Sequence, residues 1–307
     1  MWAAPEEGRP GFPENHPLYR GELLPAIRPL CAKLEGCDLV VVIGAPIFRY
    51  YPYVPGEYIP PEMRLVQIVD DPAQAARAPV GDSVLADPGH ACAVLAELVR
   101  AGGRRPLAPL KAEPPPRAGR MITADLLYSE LGKLKPEGSV LVQETPSNMG
   151  VLRKRVPTTR SRSYFSMFGG TFGYAVPAAV GIALAERKLG TGRKVIAVVA
   201  DGSAQYAIQA LWTPVQESLP VLFVIPRNGE YAVLKSFANL QGERGVPGMD
   251  IPAIDYTLLA RGYGCDAKRV TSPGELAAAL RDGISAEEPT LLEVEIDPTV
   301  PELLPRS

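Results

Sequence analysis

Two apolar, β-branched stretches constrain the fold of this chain more than any other feature. Residues 194–200 and 220–225 predict buried parallel strands, and residues 204–219 between them carry apolar side chains at helical spacing. The unit is therefore β-α-β, with the carboxyl ends of both strands at one edge of a parallel sheet. Because α/β proteins bind ligands at this edge, the residues after each strand are the first candidates for a site.

Polar motifs follow both strands. Asp-Gly-Ser occupies residues 201–203, and Asn-Gly-Glu occupies residues 228–230. Magnesium takes about six oxygen ligands, and Asp201 and Asn228 could supply side-chain oxygens while Glu230 supplies its backbone carbonyl. Free N–H groups at the start of the following helix favour a diphosphate. The two motifs together predict a magnesium-bound diphosphate, whereas Asp-Gly-Ser alone would predict a turn and a helix cap.

These motifs resemble the signature of thiamine-diphosphate-dependent enzymes, in which Gly-Asp-Gly is followed later in the chain by Asn-Asn. Two positions depart from the signature, because Ala200 stands at its first Gly and Arg227 at its first Asn. Segments across nearly the whole chain look like the benzoylformate decarboxylase branch of this family, namely residues 44–50, 71–82, 173–181, 210–213 and 268 onward.

The resemblance implies an α/β fold of two domains with mainly parallel sheets flanked by helices. A Rossmann-like middle domain, truncated at its N-terminus, would span residues 1–102, with a strand at residues 1–5. A diphosphate-binding domain would span residues 121–307. Proline and basic residues crowd residues 103–120, which predicts a linker.

Enzymes of this kind also carry a pyrimidine-binding domain, whose glutamate protonates the aminopyrimidine ring of the cofactor. No residue of this chain can be assigned that role. We therefore expect the partner to be a pyrimidine-binding domain, either on another chain or in a missing N-terminal segment. The truncation could arise from a split gene, from proteolysis or from an incomplete sequence. The chain by itself is expected to be inactive.

The resemblance also assigns the cofactor contacts. In the glycine-rich loop at residues 168–173, Gly170 would offer its carbonyl to the aminopyrimidine of thiamine diphosphate, and Phe172 would bend the cofactor. A plain strand-to-helix turn is the alternative for this loop. The remaining cofactor contacts would be Ser147, Asn148, Gly202, Ser203 and Tyr231, with magnesium on Asp201, Asn228 and Glu230.

Three further residues take roles by resemblance. His16 lies in a loop that matches the one whose histidine moves protons in benzoylformate decarboxylase, although composition alone would make it a surface residue. Leu234 and Phe237 lie one helical turn apart and would line the substrate pocket, with ordinary core packing as the alternative.

The implied activity is decarboxylation of a small 2-oxo acid to an aldehyde. An acetolactate-synthase-like carboligase is the second enzymatic interpretation. A non-catalytic binding or scaffold subunit derived from such an enzyme is the interpretation from another class. The tetramers of the family make a homo-oligomer the expected assembly.

Composition narrows the setting of the protein. The net charge of −2 provides no basic field for nucleic acid or a membrane surface. No apolar stretch reaches the length of a membrane span, and the N-terminus has no signal-peptide pattern. The four cysteines do not have the spacing of a metal site and are interpreted as reduced residues that pack in apolar segments. We therefore expect a cytoplasmic protein.

Overall fold

The computed structural model of the protein describes residues 1–4, 8–9, 11–46, 54–100, 102, 108, 114–117, 119–167, 170–251 and 254–302. These residues form two compact units. The first comprises Met1–Glu7 and His16–Leu110, and the second comprises Gly8–Asn15 and Lys111–Ser307. Most of the predicted linker lies outside the described residues, so the predicted domain limits stay a prediction.

The first unit is built on a three-stranded parallel sheet in the order β1-β2-β3. Leu30, Leu34, Val42 and Leu65 belong to its buried core. Its strands are β1 (Leu39–Ile43), β2 (Arg64–Val69) and β3 (Asp82–Leu85), and its helices are α1 (Ile27–Leu34), α2 (Pro72–Arg77) and α3 (Pro88–Leu98).

Helix α1 begins at Ile27, after Pro25, which disfavours helical geometry in the residue before it. One local prediction for this unit was inaccurate. The strand predicted at residues 1–5 is reduced, among the described residues, to an isolated bridge between Ala3 and Glu22. The resemblance at residues 44–50 falls mostly outside the described residues.

Apolar side chains of the three-stranded sheet are exposed. Leu39, Val41 and Ile43 alternate along β1, and their exposed fractions are 50%, 43% and 36%. Val84 and Leu85 of β3 are exposed as well. Buried parallel strands usually carry such residues under a covering layer, so this part of the sheet has the composition of an interface.

The second unit is built on a six-stranded parallel sheet in the order β5-β4-β6-β7-β9-β8. Its strands are β4 (Val140–Glu144), β5 (Tyr164–Ser166), β6 (Val195–Val199), β7 (Val221–Arg227), β8 (Asp266–Val270) and β9 (Thr290–Glu295). Its helices are α4 (Ala124–Leu134), α5 (Met149–Arg155), α6 (Ala175–Leu189), α7 (Asp201–Ala204), α8 (Trp212–Gln216), α9 (Ala232–Leu240), α10 (Tyr256–Gly262) and α11 (Pro273–Ser285). The predicted fold class, mainly parallel sheets flanked by helices, is confirmed.

Both faces of this sheet are covered. Along β6, Val195 and Val199 pack in one apolar cluster, while Ile196 and Val198 pack in the cluster on the opposite face. Burial on both faces explains why the central strands are continuous apolar runs rather than alternating ones.

The single helix predicted at residues 204–219 is interrupted. The segment forms α7, a short 3-10 turn at Ile208–Leu211 and α8. Pro214 lacks the N–H that would bond to the carbonyl of Ala210 in a continuous helix, which is consistent with a new helix, α8, that begins two residues earlier at Trp212. No helix among the described residues is long and apolar enough to span a membrane.

Candidate cofactor site

The order in which strands are added to the parallel sheet reverses between β4 and β6. From β4 the sheet continues to β5, and from β6 it continues in the opposite direction to β7, β9 and β8. In parallel α/β sheets such a reversal opens a crevice outside the carboxyl ends of the strands. The loops that follow β4, β6 and β7 all reach this crevice.

The crevice contains a cleft with an empty volume of about 440 Å³, part of which is open to solvent. Nine of the residues predicted from sequence line it together, namely Ser147, Asn148, Phe172, Asp201, Gly202, Ser203, Asn228, Glu230 and Tyr231. They lie in the four segments that follow β4, β5, β6 and β7, and the parallel sheet brings those segments to one edge. Sequence analysis missed six other lining residues, which are Thr145, Pro146, Ala200, Pro226, Ala232 and Val233.

Asp201 is buried at the end of β6, and backbone donors hold its carboxylate. Oδ1 accepts the N–H of Gly202 at 2.8 Å, and Oδ2 accepts the N–H groups of Gly229 at 2.8 Å and Asn228 at 3.1 Å. Burial raises the pKa of Asp201, while these three backbone donors and the nearby Arg227 charge act to lower that pKa. The carboxylate is therefore fixed in one orientation at the floor of the cleft.

Asn228 and Glu230 complete the predicted metal motif. Asn228 Oδ1 accepts the N–H of Glu230 at 3.2 Å, which orients the amide within its own turn. The Glu230 carboxylate pairs with Lys235, which also contacts Asp250 at 2.6 Å. Glu230 Oε1 is buried and has no hydrogen-bond partner among the described residues.

The oxygen set is suited to a hard divalent cation. Among the described residues, no group of three or more His, Cys, Asp or Glu side chains is arranged to hold a metal ion. A site here would thus combine the Asp201 carboxylate, the Asn228 amide and the Glu230 carbonyl with oxygens from the bound phosphates and water. Magnesium is commonly held this way, with few protein ligands and several from substrate and solvent. The residues of the cleft therefore fit a magnesium ion bound to a diphosphate.

Gly202 shows how closely the cleft wall is packed. A Cβ atom at this position would lie 2.7 Å from the ring of Tyr231 and 3.1 Å from Ile251. A side chain here would push Tyr231 out of its place in the cleft wall. The requirement for glycine after Asp201 is thus a packing requirement, in addition to any contact with a diphosphate.

A second layer of residues supports Asp201. The hydroxyl of Tyr256 donates to the Asp201 carbonyl oxygen at 2.8 Å. Glu293 is fully buried, accepts the Tyr256 N–H at 3.1 Å and contacts Arg269 at 3.0 Å and Arg227 at 3.6 Å. Sequence analysis missed this layer because its members come from β7, α10, β8 and β9. The acidic residue within the apolar run of β9 was the available signal.

Four predicted site residues do not line this cleft. Gly170 is exposed with a positive φ of 75°, and Leu234 and Phe237 lie on α9 beyond the lining residue Val233. His16 belongs to the first unit, where its Nδ1 accepts the Leu18 N–H at 3.1 Å. The roles of all four stay predictions. The residues Phe168 and Gly169 of the predicted loop lie outside the described residues.

Comparison with known proteins agrees with this geometry. Residues 147–294 match the family of the thiamine pyrophosphate enzyme, C-terminal TPP binding domain. A benzoylformate decarboxylase of Pseudomonas aeruginosa is 38% identical over 295 residues, which are 95% of this chain and 55% of that protein. An acetolactate synthase isozyme 1 large subunit of Escherichia coli is 26% identical over 299 residues, covering 93% of this chain and 52% of that protein.

A solved structure is similar as well. The thiamine diphosphate-dependent 4-hydroxybenzoylformate decarboxylase of Rhodococcus jostii RHA1 superposes with a TM-score of 0.91 at 36% identity, covering 97% of this chain and 56% of that one. The chain thus spans about half the length of the relatives it matches. Residues 147–294 thus carry the C-terminal TPP binding domain of the thiamine pyrophosphate enzymes, and the chain as a whole is similar to benzoylformate decarboxylases.

Proposed function

We propose that this chain is the C-terminal part or a subunit of a thiamine-diphosphate-dependent 2-oxo acid decarboxylase of the benzoylformate decarboxylase type. The observation that carries the proposal concerns one cleft, at the point where the strand order reverses. This cleft is lined together by Asp201, Asn228, Glu230 and Phe172. The decarboxylases among its relatives support the reaction class.

The chain's own residues would divide the binding of the cofactor between them. Asp201, Asn228 and the Glu230 carbonyl would hold magnesium, and backbone donors already orient the first of these. The diphosphate would contact the two loops that follow β4 and β6, through Ser147, Asn148, Gly202 and Ser203. Gly170, Phe172 and Tyr231 would contact the organic part of the cofactor.

When bound, thiamine diphosphate would supply an electron sink for the decarboxylation. Protein groups supply binding and proton transfer. An imidazole can accept and donate protons near neutral pH, so His16 is the proposed proton carrier. Leu234 and Phe237 on α9 are proposed to accept the side chain of the 2-oxo acid.

Activity is proposed to need a pyrimidine-binding domain from elsewhere. The relatives are about twice as long as this chain, which leaves room in them for such a region. The exposed apolar residues of β1 and β3 would also suit burial in an assembly, either with that domain or in a homo-oligomer. The four free thiols fit the predicted cytoplasmic location.

Similarity to an acetolactate synthase supports a second candidate, a carboligase that joins two 2-oxo acid units. A non-catalytic binding or scaffold subunit is the candidate from another class. The two enzymatic candidates share the cleft, so only product analysis separates them. The scaffold candidate differs from both in giving no turnover.

The test is a turnover assay with benzoylformate, magnesium and thiamine diphosphate, run with and without a separately supplied pyrimidine-binding domain. We expect no aldehyde from the chain alone and aldehyde once the domain is added. Acetolactate-type products from pyruvate in the same mixture would favour the carboligase. Absence of both products, with the two polypeptides shown to associate, would favour the scaffold subunit.

A further inference from the structure

Glu144 is a buried carboxylate that the proposed function does not yet use. It is the last residue of β4 and has no exposed surface. Its Oε1 accepts the N–H of Gly173 at 2.7 Å, and its Oε2 accepts the N–H of Ala175 at 2.7 Å. Both oxygens of one carboxylate are therefore committed to the backbone that leads into α6.

The bonds replace a missing helix cap. The residue before α6, Tyr174, provides no side-chain cap, so the first N–H groups of this 15-residue helix would otherwise lack partners. Burial raises the pKa of Glu144, while the backbone N–H groups of Ala175, Gly173 and Tyr174 lower that pKa. A carboxylate at this position is also favoured by the helix dipole.

The same segment is held from its other side. Gly173 has a φ of 92°, a conformation that suits glycine, and a Cβ here would lie 3.1 Å from the Cβ of Tyr206. The ring of Phe172 packs against the ring of Tyr206, with centroids 5.4 Å apart. Glu144 and Tyr206 thus hold between them the segment that places Phe172 in the cleft.

Glu144 also contacts the metal side of the cleft through its backbone. Its carbonyl oxygen accepts the N–H of Ala200 at 2.9 Å, and Ala200 directly precedes Asp201. One residue therefore bonds to two walls of the cleft. Its carboxylate holds the loop with Phe172, and its carbonyl holds the strand end with Asp201.

We propose that Glu144 is a positioning residue of the cofactor site, whose carboxylate fixes the Phe172 loop relative to the strand end that carries Asp201. The inference rests on the proposed function and deepens it. Because the carboxylate bonds to the loop and not to Asp201, it should affect binding of the organic part of thiamine diphosphate more than binding of the diphosphate group.

The test compares two ligands on the Glu144→Gln variant. A carboxamide keeps the shape of the side chain but can accept only through its one oxygen, so at least one backbone donor loses its partner. In calorimetry with magnesium, we expect the Kd for thiamine diphosphate to rise about tenfold, a typical effect of losing a charge-assisted hydrogen bond. The Kd for inorganic diphosphate should change by less than about twofold. Glu217→Gln, which alters an exposed ion pair with Arg187, is the matched control.

The outcomes separate the two claims. No binding of thiamine diphosphate by the wild-type chain would overturn the proposed function and this inference with it. Equal affinity of wild type and Glu144→Gln for thiamine diphosphate would overturn the inference alone. Equal loss of affinity for both ligands would show a general structural role and would also overturn it.

A second measurement needs no variant, in case Glu144→Gln does not fold. In hydrogen exchange on the wild-type chain, the amides of Gly173 and Ala175 should be strongly protected without any ligand. Exchange at the rate of the exposed residues 244–246 would show that Glu144 does not hold the loop in solution, and would overturn the inference.

Discussion

The carboxylate of Asp201 accepts the backbone N–H of Gly229 at 2.8 Å, across the gap between the ends of β6 and β7. The two halves of the polar motif are thus bonded to each other within the protein. Protein groups that are already ordered lose little conformational entropy when a metal or cofactor binds to them, and this favours affinity. This bond makes the strand ends a single unit and gives the first predictions a common basis.

Arg227 departs from the family signature, and its positive charge lies near Asp201. Arg227→Asn removes a charge that repels a bound cation, so magnesium affinity should rise by roughly fivefold, equivalent to about 1 kcal/mol. Titration of magnesium in the presence of diphosphate checks this. Arg269 lies 3.0 Å from Glu293, so we expect the buried carboxylate to keep a partner in the variant. Unchanged or weaker magnesium binding would contradict the prediction.

Tyr256 supports Asp201 from behind through its hydroxyl. Tyr256→Phe removes that donor from a buried carbonyl, which should lower the free energy of unfolding by about 1 to 2 kcal/mol. Magnesium affinity should fall as well, because the strand end becomes less ordered. Tyr263→Phe, on a half-buried tyrosine just after α10, is the control and should change neither quantity much. A Tyr256→Phe variant of unchanged stability would rule out this supporting role.

His16 is proposed to carry protons in the assembled enzyme. With the pyrimidine-binding domain supplied, His16→Ala should slow aldehyde formation by about 10² to 10⁴ and leave the affinity for thiamine diphosphate unchanged. His90→Ala is the control, because His90 lies in the first turn of α3, where its N–H bonds to Asp87. Equal turnover of wild type and His16→Ala would return His16 to the role of a surface residue.

The exposed apolar residues of β1 predict that the chain associates. At micromolar concentration we expect sedimentation to detect dimers, larger oligomers or a complex with added partner. Val41→Lys places a charge among Leu39 and Ile43 and should weaken association by about tenfold. Leu189→Lys replaces an apolar residue that is 71% exposed in the second unit and should have no such effect. A stable wild-type monomer that binds no apolar dye would contradict the expectation.

The central strands and the cleft could be predicted from sequence because local patterns determine them. Strands buried on both faces are continuous apolar runs, and parallel strands bring their carboxyl ends to one edge, so Asp201 and Asn228 had to lie close together.

Other features depend on contacts between distant segments and have no local pattern. Glu144 bonds to residues 173–175, and Tyr256 bonds to Asp201, across long stretches of chain. The short strand β3 was missed because all four of its residues are exposed, which removes the alternation that marks a strand. Sequence position alone does not indicate which polar residue a buried carboxylate will meet.

The central claim is that the cleft binds magnesium and thiamine diphosphate through Asp201. The most direct measurement is calorimetric titration of thiamine diphosphate into the chain. The titration is run with magnesium, is repeated with a chelator in place of magnesium, and is repeated on the Asp201→Ala variant. Asp282→Ala, at an exposed position of α11, is the matched control. We predict binding to the wild type and to the control only when magnesium is present, and none to Asp201→Ala, because one carboxylate is a large part of a magnesium site. Unchanged affinity in a folded Asp201→Ala variant would contradict the account.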